Sequence, residues 1–374
     1  MSFYDEVKRT SWTQIEREIE GCSEADVESA LGAGGPGGVD LHHFMSLLSP
    51  AAERYLEESA GLAHTITRQR FGNTIGLFAP LYVSNFCKNS CAYCGFNTKN
   101  EIARLALTPE QVKLEGEYIH KLGFRHLLLV SGEDRQAASL DYFIEICGLL
   151  RPIFSSLAVE IYPMGVEEYR ALTGCGIDGL TVFQETYSER AYERYHLGGK
   201  KRNFQYRLET PDRGGEAGFR RIGLGALLGL ENWRVEGFYM GLHAKHLMRK
   251  YWKSQVSISF PRLRPAAGAF PVPCEVSDRA FVQLLTALRL FLPDTGFALS
   301  TREPAGLRDH LIPLAITAMS AGSRTDPGGY THPQHQEAGA QFEISDDRDP
   351  EAVAEAIRQK GYEPVWKDWD EALS

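Results

Sequence analysis

The chain has 374 residues, of which 43% are hydrophobic and 24% are charged, and its formal net charge at pH 7 is −9. These values are typical of a globular protein with either two average domains or one large α/β barrel. The negative net charge argues against binding to nucleic acid or to an anionic membrane, because both need a positively charged protein surface. No apolar run approaches the roughly 18 residues of a membrane span, and the charged amino terminus lacks the apolar core of a signal peptide. We therefore expect a cytoplasmic protein.

Residues 1–70 are predicted to be helical. Between Asp40 and Arg70 the apolar residues recur at helical spacing, with few β-branched runs. The glycine-rich piece Gly32–Gly38 ahead of this stretch predicts a turn.

From about residue 75, strand-like apolar runs alternate with amphipathic helical segments, which is typical of a parallel sheet built from βα units. The eight candidate strands are Ile75–Val83, Arg125–Ser131, Leu157–Pro163, Gly179–Gln184, Arg221–Leu228, Gln255–Phe260, Gly296–Thr301 and Ile316–Ser320. Eight such units predict a complete (β/α)₈ barrel of the TIM type.

Helix signals lie between these strands. Thr108–Gln111 is a capping box with a proline at the first helical position, and the helix that it opens is expected to end at Gly123. Further helices are predicted over Ser277–Phe291 and near Pro350–Lys360. We expect a helical N-terminal extension (1–70), the barrel (71–325) and a C-terminal cap (326–374).

Three of the seven cysteines, Cys87, Cys91 and Cys94, form a CxxxCxxC motif just after the first predicted strand. A structural zinc site normally has four ligands, and no fourth Cys or His lies nearby in the sequence. An iron–sulfur cubane on three cysteines leaves one iron open for a non-protein ligand such as S-adenosylmethionine (SAM). A zinc site or a redox-sensing cysteine trio is the alternative. The other four cysteines are expected to be small buried residues.

Polar residues follow most of the predicted strands, at the carboxyl-terminal face where active sites of such barrels lie. They are Ser131, Gly132 and Glu133 after strand two, Glu160 and Tyr162 late in strand three, Glu185 after strand four, Arg262 after strand six, Arg302 and Glu303 after strand seven, and Ser320 and Ser323 at the end of strand eight. We expect these groups to share one barrel mouth.

The cysteine spacing, with Tyr93 directly before the third cysteine, resembles the radical SAM superfamily. Further blocks are similar to its aromatic amino acid lyases, and most of all to the 2-iminoacetate synthases, the tyrosine lyases of thiazole formation for thiamine. These blocks are Leu77–Asn85, Gln184–Tyr187, Ser257–Arg262, Leu299–Glu303, Met319–Thr325 and Pro364–Trp369.

The resemblance implies a [4Fe–4S] cluster on the three cysteines and two further groups of site residues. Residues implied to bind SAM are Tyr93, Ser131, Gly132, Glu133, Glu160, Glu185 and Arg207, with Arg207 pairing with the SAM carboxylate. Residues implied to hold the substrate are Tyr82, Asn89, Arg262, Arg302, Ser320 and Ser323. Two alternatives stay open: Arg207 as a surface ion pair, and Arg302 as part of a structural network with Glu303, Arg308 and Asp309.

The implied reaction is reductive cleavage of SAM, hydrogen abstraction from the amino nitrogen of L-tyrosine, and Cα–Cβ scission to 2-iminoacetate (dehydroglycine) and p-cresol. The implied partners are a thiazole synthase protein and a flavodoxin- or ferredoxin-type reductant. Alternatives are a tryptophan lyase, a hydrogenase-maturase type of tyrosine lyase, and a non-enzymatic metal-binding protein. The maturase carries a second cluster near its carboxyl terminus. No cysteine follows Cys274 here, so we expect no second cluster.

Overall fold

The computed structural model describes residues 2–34, 38–331 and 339–370. Before the first strand the chain is helical, as predicted, because polar side chains cap successive short helices: Ser2, Ser23 and Asp40 each accept a hydrogen bond from a backbone N–H of the first turn. The helices are α1 (Phe3–Arg9), α2 (Trp12–Glu20), α3 (Glu24–Gly32), α4 (Leu41–Leu48) and α5 (Leu56–Phe71), with a 3₁₀ helix over Pro50–Tyr55. The centre of the predicted turn, residues 35–37, lies outside the described ranges.

Eight parallel strands then close into a barrel, and this confirms the predicted (β/α)₈ fold. They are β1 (Thr74–Ser84), β2 (His126–Ser131), β3 (Ser156–Glu160), β4 (Gly179–Glu185), β5 (Arg221–Ala226), β6 (Gln255–Ser259), β7 (Gly296–Leu299) and β8 (Ala318–Ser320). Each strand pairs with the next along the chain, and β1 pairs with both β2 and β8, so the ring has no open edge.

Helices surround the barrel between the strands. They are α6 (Pro109–Lys121), α7 (Leu140–Leu150), α8 (Val166–Cys175), α9 (Glu189–Tyr195), α10 (Phe204–Leu208), α11 (Thr210–Ala217), α12 (Trp233–Lys250), α13 (Asp278–Phe291) and α14 (Ala305–Leu311), with a 3₁₀ turn over Lys200–Arg202. The predicted cap of α6 is present, since the Thr108 side chain accepts a hydrogen bond from the first turn, and Ser277 caps α13 in the same way.

Four strand boundaries differ from the sequence prediction by two residues or more. Strand β5 ends at Ala226 rather than Leu228, and β7 ends at Leu299 rather than Thr301. Strand β3 ends at Glu160 rather than Pro163, because a proline has no N–H for the ladder and ends the pairing early. Tyr162 therefore lies beyond the strand. Strand β8 begins at Ala318, two residues later than the expected Ile316, since pairing with β1 starts at Ala318 and Gly76.

A helix and a short strand follow the barrel. They are α15 (Pro350–Gln359), close to the predicted helix, and β9 (Glu363–Val365), which the sequence analysis did not identify. Strand β9 pairs in parallel with Thr74–Gly76, at the start of β1. None of the helices in the described ranges is both long and apolar enough to span a bilayer. The proposed division at residues 70 and 325 stays a prediction.

The barrel encloses a cavity of about 700 Å³. Its lower wall is formed by small inward-facing residues, among them Gly76, Ala158, Gly179, Gly223 and Gly296. Bulky branched residues normally fill this position in such barrels. Small side chains on several strands therefore leave open space inside the barrel, below the mouth where the strands end.

Candidate active site

The three motif cysteines lie on the loop that follows β1, and all three are free thiols. The loop packs tightly against the end of β2, because a Cβ at Gly132 would lie only 2.3 Å from the Phe86 carbonyl oxygen. The backbone N–H of Asn89 points at the Cys87 sulfur, at 3.5 Å. The loop is thus held in one conformation by backbone contacts at the barrel mouth.

The thiols are protonated when no metal is bound. Burial raises the pKa of Cys94 to about 11 and raises the pKa values of Cys87 and Cys91 as well. The nearby Lys201 cation opposes this rise at all three cysteines. A metal cluster that binds here must displace three protons, so its assembly is coupled to pH.

His196 is the histidine that packs on the cysteine loop, where its backbone forms a bridge with Cys91. Its Nδ1 lies 2.8 Å from the Tyr192 carbonyl and its Nε2 lies 2.8 Å from the Tyr93 hydroxyl. Burial lowers the pKa of His196 to about 3, so the ring is neutral. A carbonyl can only accept, so Nδ1 carries the proton and Nε2 accepts from Tyr93. Both ring nitrogens are engaged, and His196 is not free to act as a fourth ligand.

The donor set therefore fits a three-cysteine iron–sulfur cluster. Within the described residues no three Cys, His, Asp or Glu side chains are placed to hold a single metal ion. A cubane makes a different demand, because each cysteine binds a separate iron atom. One buried thiol, Cys91, and two half-buried thiols, Cys87 and Cys94, lie on one packed loop and meet that demand.

Beside the cysteine loop lies a buried cluster of four charges, contributed by Glu133, Glu185, Lys201 and Arg207. Arg207 Nη1 is 2.7 Å from Glu133, and Lys201 Nζ is 2.6 Å from Glu185. Burial would raise the pKa of Glu185, yet the Lys201 and Arg207 cations lower it below its usual value. Because the charges balance within the cluster, their burial is tolerated.

Asn89 ties this cluster to the cysteine loop. Its Nδ2 donates to Glu133 at 2.8 Å, and its Oδ1 accepts from the Lys201 backbone N–H at 3.0 Å. A Cβ at Gly199 would lie 2.1 Å from Asn89 Oδ1, and Gly199 has a φ of 85°. Glycine is therefore required at this turn, which carries Lys201 to the cluster.

The backbone at Glu185 has an unusual conformation, with a φ of 71°. The following turn is held by Glu236 on α12, whose carboxyl group accepts hydrogen bonds from the Thr186 hydroxyl and the Tyr187 backbone N–H. Burial raises the pKa of Glu236 to about 8. This contact fixes the direction in which the Glu185 side chain enters the site.

Lys201 and eight of the predicted site residues line the barrel cavity; the eight are Tyr82, Tyr93, Cys94, Glu160, Glu185, Arg302, Ser320 and Ser323. Within the described residues, the Arg302 guanidinium forms no ion pair, and the Glu160 carboxyl group has no hydrogen bond or ion pair. Burial, with the neighbouring Glu185 charge, raises the pKa of Glu160 to about 7. Burial also lowers the pKa of Arg302, which faces Tyr82 and Glu160.

The remaining predicted residues lie outside the cavity lining. Ser131, Gly132, Glu133 and Arg207 lie at the cysteine-loop side, and Asn89 lies with them rather than with Arg302. Arg262 forms ion pairs with Glu303 and Asp278. The roles assigned to all of these residues stay predictions.

Two alternatives from the sequence are wrong. Arg207 is not a surface residue, because its side chain is 7% exposed. Arg302 is not part of a structural network either, since the neighbouring charges pair elsewhere. Glu303 pairs with Arg262 and Arg264, Arg308 with Asp346, and Asp309 with Arg348.

Several residues of the site were not predicted from the sequence, namely Lys201, His196, Glu236, Gln341 and Phe342. His196 directly follows α9, and Lys201 lies in the 3₁₀ turn over Lys200–Arg202. Glu236 lies on α12, and the last two lie beyond the barrel. No motif or strand-end position marks any of them. For Lys201, the glycine-rich turn before it was the one available signal.

The chain is similar to proteins of known function. The model of the radical SAM superfamily matches residues 81–239, and the model of the biotin and thiamin synthesis associated domain matches residues 259–363. The 2-iminoacetate synthase of Escherichia coli (strain K12) is 47% identical over 375 residues, covering 100% of this chain and 98% of that protein.

Two solved structures share the whole fold. The crystal structure of HydG, a maturase of the [FeFe]-hydrogenase, superposes with a TM-score of 0.89 at 34% identity, covering 95% of this chain and 80% of that one. HydG from Carboxydothermus hydrogenoformans gives a TM-score of 0.84 at 32% identity, covering 98% and 83%. Given the full-length identity and the three-cysteine loop at the barrel mouth, this chain belongs to the 2-iminoacetate synthase family of the radical SAM superfamily.

Proposed function

We propose that this enzyme cleaves the Cα–Cβ bond of L-tyrosine to 2-iminoacetate and p-cresol, with SAM converted to 5′-deoxyadenosine and methionine. Family membership supports the reaction, since the full-length relative carries the name 2-iminoacetate synthase. One electron enters per turnover from a flavodoxin- or ferredoxin-type reductant. The 2-iminoacetate then passes to a thiazole synthase protein for the thiazole of thiamine.

The observation that carries the proposal is the pairing of two features in one cavity. Cys94 of the cluster loop lines the same cavity as the Arg302 guanidinium. Arg302 forms no ion pair within the part of the chain that the structure describes, and a guanidinium matches a carboxylate bidentately. An α-amino acid whose carboxylate binds Arg302 would therefore lie in direct reach of the cluster side of the cavity.

Cys87, Cys91 and Cys94 would hold a [4Fe–4S] cluster, which when bound supplies the electron that cleaves SAM. Glu133, Glu185 and Arg207 are proposed to contact SAM, with Tyr93, Ser131, Gly132 and Glu160. Arg207 is already paired with Glu133 in the structure. A SAM carboxylate at Arg207 would have to share the guanidinium with Glu133, so the two side chains form one recognition unit.

The substrate side of the cavity is proposed to include Tyr82, Ser320 and Ser323, with Asn89 and Arg262 outside its lining. Ser320 Oγ accepts a hydrogen bond from the Thr301 backbone N–H at 3.2 Å, next to Arg302. This contact holds the ends of β7 and β8 together. 2-Iminoacetate hydrolyses readily, so its formation inside the barrel, away from bulk water, would protect it.

Anaerobic reconstitution with iron and sulfide, followed by incubation with SAM and a reductant, tests the function. With L-tyrosine we expect p-cresol and 5′-deoxyadenosine in near-equal amounts. L-Tryptophan is the rival substrate in a parallel incubation. Consumption of tryptophan without tyrosine would contradict the substrate. Absence of 5′-deoxyadenosine from a protein with a complete cluster would contradict the reaction class and favour a non-enzymatic metal-binding protein.

A further inference from the structure

The segment formed by residues 339–345, here called the mouth segment, crosses the barrel mouth between the cysteine loop and Arg302. Its backbone is anchored on both sides. Gly95 N–H donates to the Gln341 carbonyl at 3.1 Å, Gln341 N–H donates to the Thr325 carbonyl at 3.0 Å, and Ser345 N–H donates to the Thr301 carbonyl at 2.9 Å. The Thr325 hydroxyl also donates to the Phe342 carbonyl at 3.0 Å. The two side chains that this segment turns into the cavity are therefore held firmly.

Those side chains are Gln341 and Phe342. Gln341 Oε1 accepts a hydrogen bond from the Tyr82 hydroxyl at 2.7 Å. The ring of Phe342 lies against Arg302, with the guanidinium carbon 3.3 Å from the ring centroid. This is the closest cation–ring contact found within the described residues.

The contact restricts Arg302 without using its hydrogen-bond donors. A guanidinium donates through N–H groups in its own plane, whereas an aromatic ring interacts with a cation through the face. The contact with Phe342 leaves those N–H groups unpaired within residues 2–34, 38–331 and 339–370. Ordering this long side chain in advance lowers the entropy that substrate binding would otherwise cost.

We propose that Phe342 is a positioning residue for the substrate: its ring holds the Arg302 guanidinium so that the free N–H groups face the cavity and receive the amino acid carboxylate. This inference rests on the proposed function, because it assumes that Arg302 binds the substrate. Phe342 acts through Arg302 and does not itself take part in the bond cleavage. The proposal predicts that replacing Phe342 weakens the binding of substrates that carry a carboxylate, and that it does so only while Arg302 is present.

The test compares Phe342→Leu, which removes the ring, with Phe342→Tyr, which keeps it. A desolvated cation–π contact is worth enough that its loss should raise KM for L-tyrosine by roughly 5- to 30-fold. The ratio of 5′-deoxyadenosine to p-cresol should rise as well, because a loosely held substrate leaves the radical to be consumed without cleavage. Phe342→Tyr should change KM by less than about twofold. Cluster content and thermal unfolding are measured for both variants, and Phe342→Met replaces Phe342→Leu if the latter does not fold.

A double-mutant cycle with Arg302→Gln separates positioning from a general structural role. In the Arg302→Gln background, Phe342→Leu should raise KM by less than about twofold further, because the cation that the ring holds is already gone. Additive effects would overturn the proposal, as would an unchanged KM in Phe342→Leu or an equal loss in Phe342→Tyr. If the wild-type enzyme cleaves tryptophan and ignores tyrosine, the proposed function fails. The cycle is then run with tryptophan, whose carboxylate tests Phe342 independently.

Discussion

At the scale of single residues, the charges of the site fall into two classes. Glu133, Glu185, Lys201 and Arg207 neutralise one another in pairs at 2.6–3.8 Å. Glu160 and Arg302 have no such partner within the described residues, although both lie inside the barrel. Both side chains are half-buried. A charge that is partly removed from water without a partner costs free energy of folding, so a ligand that pairs with it is the best explanation of its presence.

Glu160 yields a prediction with a defined pH dependence. Its pKa is raised from 4.5 to about 7 in the folded protein. Between these values the folded chain keeps a proton that the unfolded chain releases, so the free energy of unfolding falls as pH rises through this window. Glu160→Gln avoids the charge. It should unfold at the same denaturant concentration as wild type near pH 4.5, and should be more stable near pH 8 by on the order of 1–3 kcal/mol.

Urea unfolding of wild type and Glu160→Gln at the two pH values checks this expectation. Glu216→Gln, at an exposed position on α11, is the matched control and should change stability by less than about 0.5 kcal/mol at either pH. If Glu160→Gln were less stable than wild type near pH 8, the carboxylate would have a favourable partner in the folded protein. The variant should nevertheless lose SAM-dependent turnover if Glu160 contacts SAM as proposed.

The cysteines provide the second prediction at this scale. Replacing Cys87, Cys91 or Cys94 by alanine should abolish retention of the cluster and formation of 5′-deoxyadenosine, since each is expected to bind a separate iron atom. Cys175→Ala is the control, because Cys175 lies at the end of α8, away from this loop. Iron and sulfide content and the visible absorption spectrum measure the outcome. Loss of the cluster in Cys175→Ala would contradict the ligand assignment.

At the scale of secondary structure elements, side chains on neighbouring helices fix the loops that carry the site. The turn after β4 is the clearest case. Glu185 has a left-handed backbone conformation that favours glycine. It is maintained because Glu236, on α12, binds both the Thr186 hydroxyl and the Tyr187 backbone N–H. The helix thus determines where the Glu185 carboxylate meets Lys201.

Glu236→Ala should therefore destabilise the protein by about 2–4 kcal/mol, because it leaves two buried donors unsatisfied and opens a cavity. It should also lower SAM affinity through misplacement of Glu185. Since the pKa of Glu236 is raised to about 8, the carboxyl group is largely protonated at neutral pH. Glu236→Gln resembles that form and should cost less than about 1.5 kcal/mol. Thermal unfolding and SAM titration of the reconstituted variants measure both effects. Equal effects from Ala and Gln would contradict a hydrogen-bonding role.

The sequence was informative about elements and much less so about contacts between them. Apolar runs identified all eight barrel strands, and the three motif cysteines lie on the loop after β1, as their position in the sequence predicted. The three-residue strand β9 was not identified, because it is short and contains Pro364, which weakens any strand signal. Lys201 lies in a 3₁₀ turn and Phe342 in an irregular segment, and only tertiary packing brings them to the site. Periodicity carries no information about such residues.

At the scale of the whole molecule, the two ends of the barrel have different roles. The mouth holds the cysteine loop, the charge cluster and Arg302. At the opposite end the chain's own tail contributes Val365 and Asp368 to the lining of the cavity. Asp368 Oδ1 lies 2.9 Å from His126 Nε2, and Arg220 lies over the Trp369 ring at 4.3 Å. The tail therefore contributes to stability at the end remote from the proposed chemistry.

Trp366 connects the tail to the barrel floor and carries the last prediction. Its ring packs edge-on against Phe124, with the ring centroids 5.1 Å apart, and covers Gly123, where a Cβ would meet the ring at 3.3 Å. Gly123 has a φ of 106°, so the turn before β2 has little freedom to adjust if the ring is lost. Because the ring is only partly buried, Trp366→Ala should lower the free energy of unfolding by about 1–3 kcal/mol. A fully buried aromatic residue would cost more.

Trp252→Ala is the control, since that side chain is 77% exposed and its loss should change stability by less than about 0.5 kcal/mol. The Trp366 variant should still release 5′-deoxyadenosine and p-cresol in the wild-type ratio, because the substrate contacts lie at the other end of the barrel. A changed ratio at unchanged stability would show that the tail takes part in the reaction, and would contradict this separation of the two ends.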